Sequence, residues 1–198
     1  MSTSLPSDPT IPSNPAILQG LAALQARFPD HDWVVLQADP DACHVWRLAP
    51  QNASPIRHDL PLGYGQLATQ YLSRASAGAG QVEQVIELVE DQIMPLTRSW
   101  PAPGPQLALL CRAPDMAALA AQLHDPQAAL QTTDAIEQLF NRYAQYMMGG
   151  SHGGLQLTPA QAALLILLRE CLHHWGCQQV ALQVALEVAP PEVSAPRG

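Results

Sequence analysis

Thr158-Pro159-Ala160-Gln161, followed by the unbroken apolar run from Ala162 to Leu168, constrains this chain more than any other stretch. A threonine N-cap with a glutamine three residues on is a capping box, and proline at the first helical position is pre-set for helical φ. The pattern predicts a helix from Pro159 to a stop at Gly176. A helix that is apolar almost all round needs protein on every side, so it belongs at the centre of the fold. The apolar run is far short of the roughly 20 residues that span a bilayer.

The elements that must surround it follow from local signals. Asn14 as N-cap and Pro15 at the first helical position start a helix that Pro29 ends. The runs WVVLQ (33 to 37) and CHVWRL (43 to 48) flank Asp39-Pro40-Asp41, strong turn chemistry, and so read as a β-hairpin. A third short strand is expected within 55 to 62. Helices are expected over 63 to 74 and 82 to 93, the second ended by Pro95. QLALLC (106 to 111) is a short apolar run between breakers, the pattern of a buried central strand. A short helix over 115 to 123 and an amphipathic one over 133 to 148 follow, the latter with Ile136, Leu139, Phe140, Tyr143 and Met147 in one stripe. Over 180 to 188 apolar residues alternate with Ala181, Gln183, Ala185 and Glu187, which predicts a last strand with one wet face, available as a pairing edge.

These elements predict an α+β fold, grading into α/β: a mixed sheet of about four to five strands opening with an antiparallel hairpin, against about six helices. The expected domain runs from 14 to 188, with Pro- and Ser-rich tails at 1 to 13 and 189 to 198. The proline-laden connector 95 to 105 is able to separate two lobes. In element order the chain resembles ribonuclease-H-like and actin-like ATPase domains, which open with an antiparallel three-stranded unit. No motif of either family is matched. Their chemistry uses carboxylates on the first strand, and the nearest here, Asp39 and Asp41, are already accounted for by the turn.

Composition narrows the function classes. The chain carries 9 basic and 17 acidic residues, a formal charge of -8, and it contains no lysine. Schiff-base chemistry and a Walker-type phosphate loop are thereby excluded. Scattered arginines do not form the positive cluster that nucleic acid or an anionic membrane requires. The four cysteines are too few and too unevenly spaced for a secreted disulfide framework, and the first residues have neither the basic nor the apolar region of a signal peptide. The expectation is a reduced, cytoplasmic protein.

Three stretches offer chemistry. Gly149 to Gly154 spells G-x-S-x-G around Ser151, the string of a serine-hydrolase elbow, but an amphipathic helix precedes it where an elbow needs a strand. The glycines read instead as a joint between helices, with an anion cradled by the loop amides as an alternative. Cys171, His174 and Cys177 fall within seven residues at the end of the central helix, soft ligands able to hold zinc if a fourth such as His152 or Cys111 came near. Glu83, Glu87, Glu90 and Asp91 share one helix face and read as a solvated arc or a docking site for a basic partner. A carboxylate-bridged metal centre would need an opposing helix with Glu-x-x-His, a spacing that Glu170 and His173 have. His31-Asp32 and His58-Asp59 lie in extended or loop segments, where adjacent side chains point apart. No catalytic set emerges, so the expected function is a non-catalytic accessory or interaction domain, paired with a protein partner or a second copy, with a zinc or serine hydrolase as the alternative.

Overall fold

The computed structural model describes residues 22–23, 25–29, 31–48, 56–73, 77–97, 106–151 and 153–182. The hairpin forms where the turn chemistry puts it. β1 (Trp33–Ala38) and β2 (Cys43–Leu48) are antiparallel, and the Asp39 amide donates to the Ala42 carbonyl at 2.9 Å to close the turn. β3 (Ile56–Leu60) adds antiparallel to β2. A helical segment then runs as α1 (Tyr64–Leu67) and widens into a π-turn over Ala68–Leu72, with Ser73 N donating back to Ala68 O at 2.9 Å.

α2 spans Ala79–Thr97, longer at both ends than the spacing predicts. At its start the Gln81 side chain accepts the Gly78 amide, and at its end Pro95 lies inside the last turn, where a missing N–H removes a single bond. β4 (Gln106–Leu110) returns parallel to β1, so the segments on either side of the 95 to 105 connector share one sheet. α3 (Ala113–Ala120), β5 (Gln131–Thr132), α4 (Thr133–Met147), α5 (Pro159–His174) and β6 (Gln179–Ala181) complete the described order.

The α+β expectation holds, with six strands among the described residues in the order β3-β2-β1-β4-β6-β5. α5 sits where its composition demands: Ala162 to Leu168 are all buried, and the helix packs on α1, α2, α3 and α4. The capping box is present, with Thr158 Oγ1 accepting the Gln161 amide and Gln161 reaching back to the Thr158 amide. Gly176, at φ 67°, closes the other end, where Cys177 N donates to Leu172 O and Gly176 N to His173 O.

The last strand departs from expectation. β6 is interior, parallel to β4 on one side and antiparallel to β5 on the other, so its described part is no free edge. Nor has it a wet face. Val180 faces the helices, and Ala181 joins Trp33, Val35, Trp46, Ala108 and Leu110 in a second apolar layer that Phe28 and Leu130 cover. Residues 183 to 188 and both predicted tails lie outside the described residues. No helix among the described residues is long and apolar enough to cross a membrane.

Candidate functional site

In an open sheet with parallel strands, ligands bind outside the carboxyl ends, because the loops that follow the strands and the helix N-termini gather there. Here that edge is formed by β1 and β4, adjacent and parallel. β1 delivers the Asp39-Pro40-Asp41 turn. β4 delivers Cys111 and Arg112, and α3 opens with Pro114 and Asp115 in its first turn.

A third segment locks the two together. The amides of Gly65 and Gln66 donate to Pro40 O at 3.0 and 3.2 Å, so the hairpin turn caps the N-terminus of α1. This close approach explains Gly63: a Cβ there would meet Pro40 O at 2.2 Å. Tyr64, the first residue of α1, then reaches α3 and donates its hydroxyl to Asp115 Oδ2 at 2.6 Å. Burial first, and that hydrogen bond second, push the Tyr64 phenol well above its ordinary range. Asp39 is held from its own strand by Gln37, whose amide nitrogen donates to Oδ2 at 2.5 Å.

The Cys111 thiol, which follows β4, is buried. Burial raises it to about 12, and the negative charges of Asp115 and Asp39 both push it further in that direction. Tyr64 links the two carboxylate-bearing segments, its amide donating to the Asp39 carbonyl at 3.3 Å while its hydroxyl holds Asp115. Arg112, more than half exposed, stands 3.9 Å from Asp115 Oδ2 through its Nε. The combination offers a cationic group, the positive end of a short helix and carboxylates able to take a proton from water.

Neither Tyr64 nor Asp115 stands out in the sequence as chemistry. The available signal was local: an acid in the first turn of a helix that begins two residues after a buried strand.

The residues singled out from the sequence are distributed as follows. Ser151 lies on an exposed stretch between α4 and α5, with Gly149, Gly153 and Gly154 at positive φ, and its Oγ accepts the Gly153 amide at 3.3 Å. No strand enters this corner, so the serine-elbow geometry is not formed. Cys171 and Cys177 are buried, and Cys171 is pushed well above its usual value by burial and then by Cys43 and Cys177. These thiols do not converge with His174. What the structure gathers instead is Glu90, Glu170 and His174, whose nearest ligand atoms all lie within 4.8 Å of one another. Glu83, Glu87 and Asp91 remain exposed on α2. The opposed helices of the sequence argument thus do meet, but through His174, while His173 is exposed.

The adjacent His-Asp pair on β3 splits as the strand period requires. Asp59 pairs with His44 across the ladder at 2.7 Å and with Arg57 at 2.6 Å. Burial would raise the Asp59 carboxyl, but the hydrogen bonds from Arg57 and His44 outweigh it and hold the group below its usual value.

The sequence matches no protein-family model and no curated protein. Solved structures do share the fold. The Aquifex aeolicus member of the Ppx/GppA protein family superposes with a TM-score of 0.58 at 14% identity, over 82% of this chain and 55% of its own. An exopolyphosphatase from Cytophaga hutchinsonii gives 0.57 at 12% identity, over 83% and 59%. An exopolyphosphatase-like protein gives 0.52 at 11%, over 78% and 54%. This chain therefore spans little more than half the length of these proteins. The likeness corrects the expectation of a non-catalytic accessory domain: the fold is one that phosphatases and exopolyphosphatases carry, with the β1 and β4 ends side by side in its sheet.

Proposed function

We propose that the chain is a catalytic fold unit of a phosphohydrolase acting on phosphoric anhydrides, polyphosphate being the substrate class its fold neighbours suggest. The observation that carries the reading is that the connections following the adjacent parallel strands β1 and β4, which carry Asp39 and, with Arg112, Asp115, are tied together by Tyr64 through its amide and its hydroxyl.

The chemistry asks little of the protein beyond placement and charge. Water attacks the terminal phosphorus, the P–O bond to the rest of the chain breaks, and the proton lost by the water goes to a carboxylate. Asp115, largely buried, has both Tyr64 and Arg112 on Oδ2, whereas Asp39 is held by Gln37 through Oδ2, so Oδ1 of Asp39 is the base in this reading, and Arg112 with the N-terminus of α3 offsets charge on the phosphoryl oxygens. With no lysine in the chain, phosphate contacts fall to arginine and backbone amides. A cytoplasmic location belongs to the same proposal and is supported by four unpaired, buried cysteines.

The test is release of inorganic phosphate from long-chain polyphosphate by the purified full chain. Asp39→Asn and Asp115→Asn are each expected to lower the rate about 100-fold or more while thermal midpoints stay within a few degrees. Absence of release together with absence of polyphosphate binding, or a rate indifferent to both substitutions, overturns the reading.

A further inference from the structure

We propose that Glu90, Glu170 and His174 form a binding site for a divalent transition-metal ion between α2 and α5. The site is independent of the sheet-edge chemistry above and shares no residue with it.

Glu170 is the anchor. It is fully buried on α5, and its Oε1 accepts from Arg169 Nη1 at 2.6 Å. Its Oε2 is equally buried and has no hydrogen-bond partner. An orphaned carboxylate oxygen in a protein interior is costly, and where one persists it points to a ligand that would satisfy it.

The group facing that oxygen is His174 Nε2, 3.4 Å away and one helical turn on. Nε2 also lies 2.9 Å from Glu90 Oε1, which α2 supplies from the opposite side. An imidazole nitrogen carries at most one hydrogen, so it serves one of these oxygens, and the shorter contact takes it. Glu170 is left unserved.

A cation resolves the conflict. Neutral His174 presents a lone pair, and each glutamate has an oxygen within 4.8 Å of the imidazole nitrogen and of the other carboxylate. Tetrahedral coordination at about 2.0–2.2 Å separates donor atoms by roughly 3.3–3.6 Å. The 3.4 Å contact already has that value, and the 2.9 Å contact must open by a few tenths of an ångström. Three protein donors leave a fourth position for water, and Glu90 and His174, partly exposed, provide the entry from solvent.

The surroundings fit the role. Arg169 bridges Glu170 and Glu137, at 2.6 and 2.9 Å, and lies over the Phe140 ring. It orients the anchoring carboxylate through the oxygen the metal does not use. One imidazole with two carboxylates suits zinc, manganese or cobalt over magnesium, which prefers oxygen alone.

The test uses the tag-free full chain, stripped with a chelator and titrated with Zn²⁺ and, separately, with Co²⁺. One ion per chain by elemental analysis is expected, with a visible Co²⁺ band characteristic of nitrogen and oxygen donors. Glu90→Gln and His174→Gln should each weaken binding at least about tenfold. Cys171→Ser and Cys177→Ser should leave it unchanged. Glu90 is partly exposed, so Glu90→Gln preserves the fold, which thermal midpoints in chelator confirm. Substoichiometric binding by the wild-type chain, affinity indifferent to both substitutions, or loss only in the cysteine variants would each overturn the proposal.

Discussion

The hydroxyl of Tyr64, at the start of α1, donates to Asp115 in the first turn of α3 at 2.6 Å, tying together segments 51 residues apart. Each residue belongs to a different carboxyl-edge connection, so this bond fastens one connection to the other. Tyr64→Phe keeps the ring and removes only the donor. It is expected to cost about 1.5–3 kcal/mol, the usual range for a hydrogen bond to a charged group. Phosphate release should fall roughly ten- to a hundredfold, because Asp115 is no longer held. Urea midpoints and initial rates on the same preparations check both parts.

The four cysteines are all free and all buried. A thiol reacts as the thiolate, and burial pushes Cys43, Cys111 and Cys177 up to about 12 and Cys171 well above its usual value. Native protein at pH 8 should therefore give no fast reaction with an aromatic disulfide reagent. All four thiols should react in denaturant. A rapidly labelled native thiol would show a core more open than this one.

Much of the fold was legible because its signals are local. The Thr158 capping box, the Asp39-Pro40-Asp41 turn and the stripe on α4 each lie within one element, and each formed where expected. What escaped is tertiary. β5 is two residues long and has no period to detect, while its pairing places β6 inside the sheet. Ala181 read as the wet side of an alternation because alanine is ambiguous; only the layer under Trp33 and Trp46 shows it to be covered. The site followed the same rule. The acidic face of α2 was visible as a spacing, but whether His173 or His174 meets it is a matter of about 100° of helix rotation, which the packing of α5 decides. Asp39 and Asp115 are 76 positions apart in numbering, and only the parallel pairing of β1 with β4 brings their loops together.

Stability should fall steeply on the alkaline side. Cys43, Cys111 and Cys177 rise from 9.0 to about 12 on folding, chiefly through burial, and Tyr143 rises from 10.0 to about 12 for the same first reason. A folded value above the unfolded one means the native state holds protons that the unfolded chain releases. The stabilisation is complete below pH 9 and is lost as pH climbs from 9 to 12, with the unfolded chain favoured by thiolate formation. Urea midpoints measured at half-unit steps from pH 8 to 11 should decline throughout the upper range. Cys111→Ala should flatten that decline, since it removes one of the linked protons.

Two glycines are expected to respond to alanine with opposite signs. Gly63 has ordinary extended backbone, φ -126° and ψ 143°, so conformation does not demand glycine there. Space does: an added Cβ would lie 2.2 Å from Pro40 O and 2.4 Å from Asp41 C, both backbone atoms of the hairpin turn that caps α1. Gly63→Ala must push that turn away from α1, and overpacking of this kind costs typically about 1–3 kcal/mol. Gly80 is in the first turn of α2, where an added Cβ meets nothing within 4 Å. Gly80→Ala removes backbone freedom from the unfolded chain and should stabilise by about 0.4–1 kcal/mol. Because the displaced turn carries Asp39, Gly63→Ala should also depress phosphate release by more than its loss of stability accounts for, and Gly80→Ala should leave the rate untouched. Denaturant midpoints and rates on the two variants, compared with the parent chain, separate the steric demand at Gly63 from a general intolerance of added bulk.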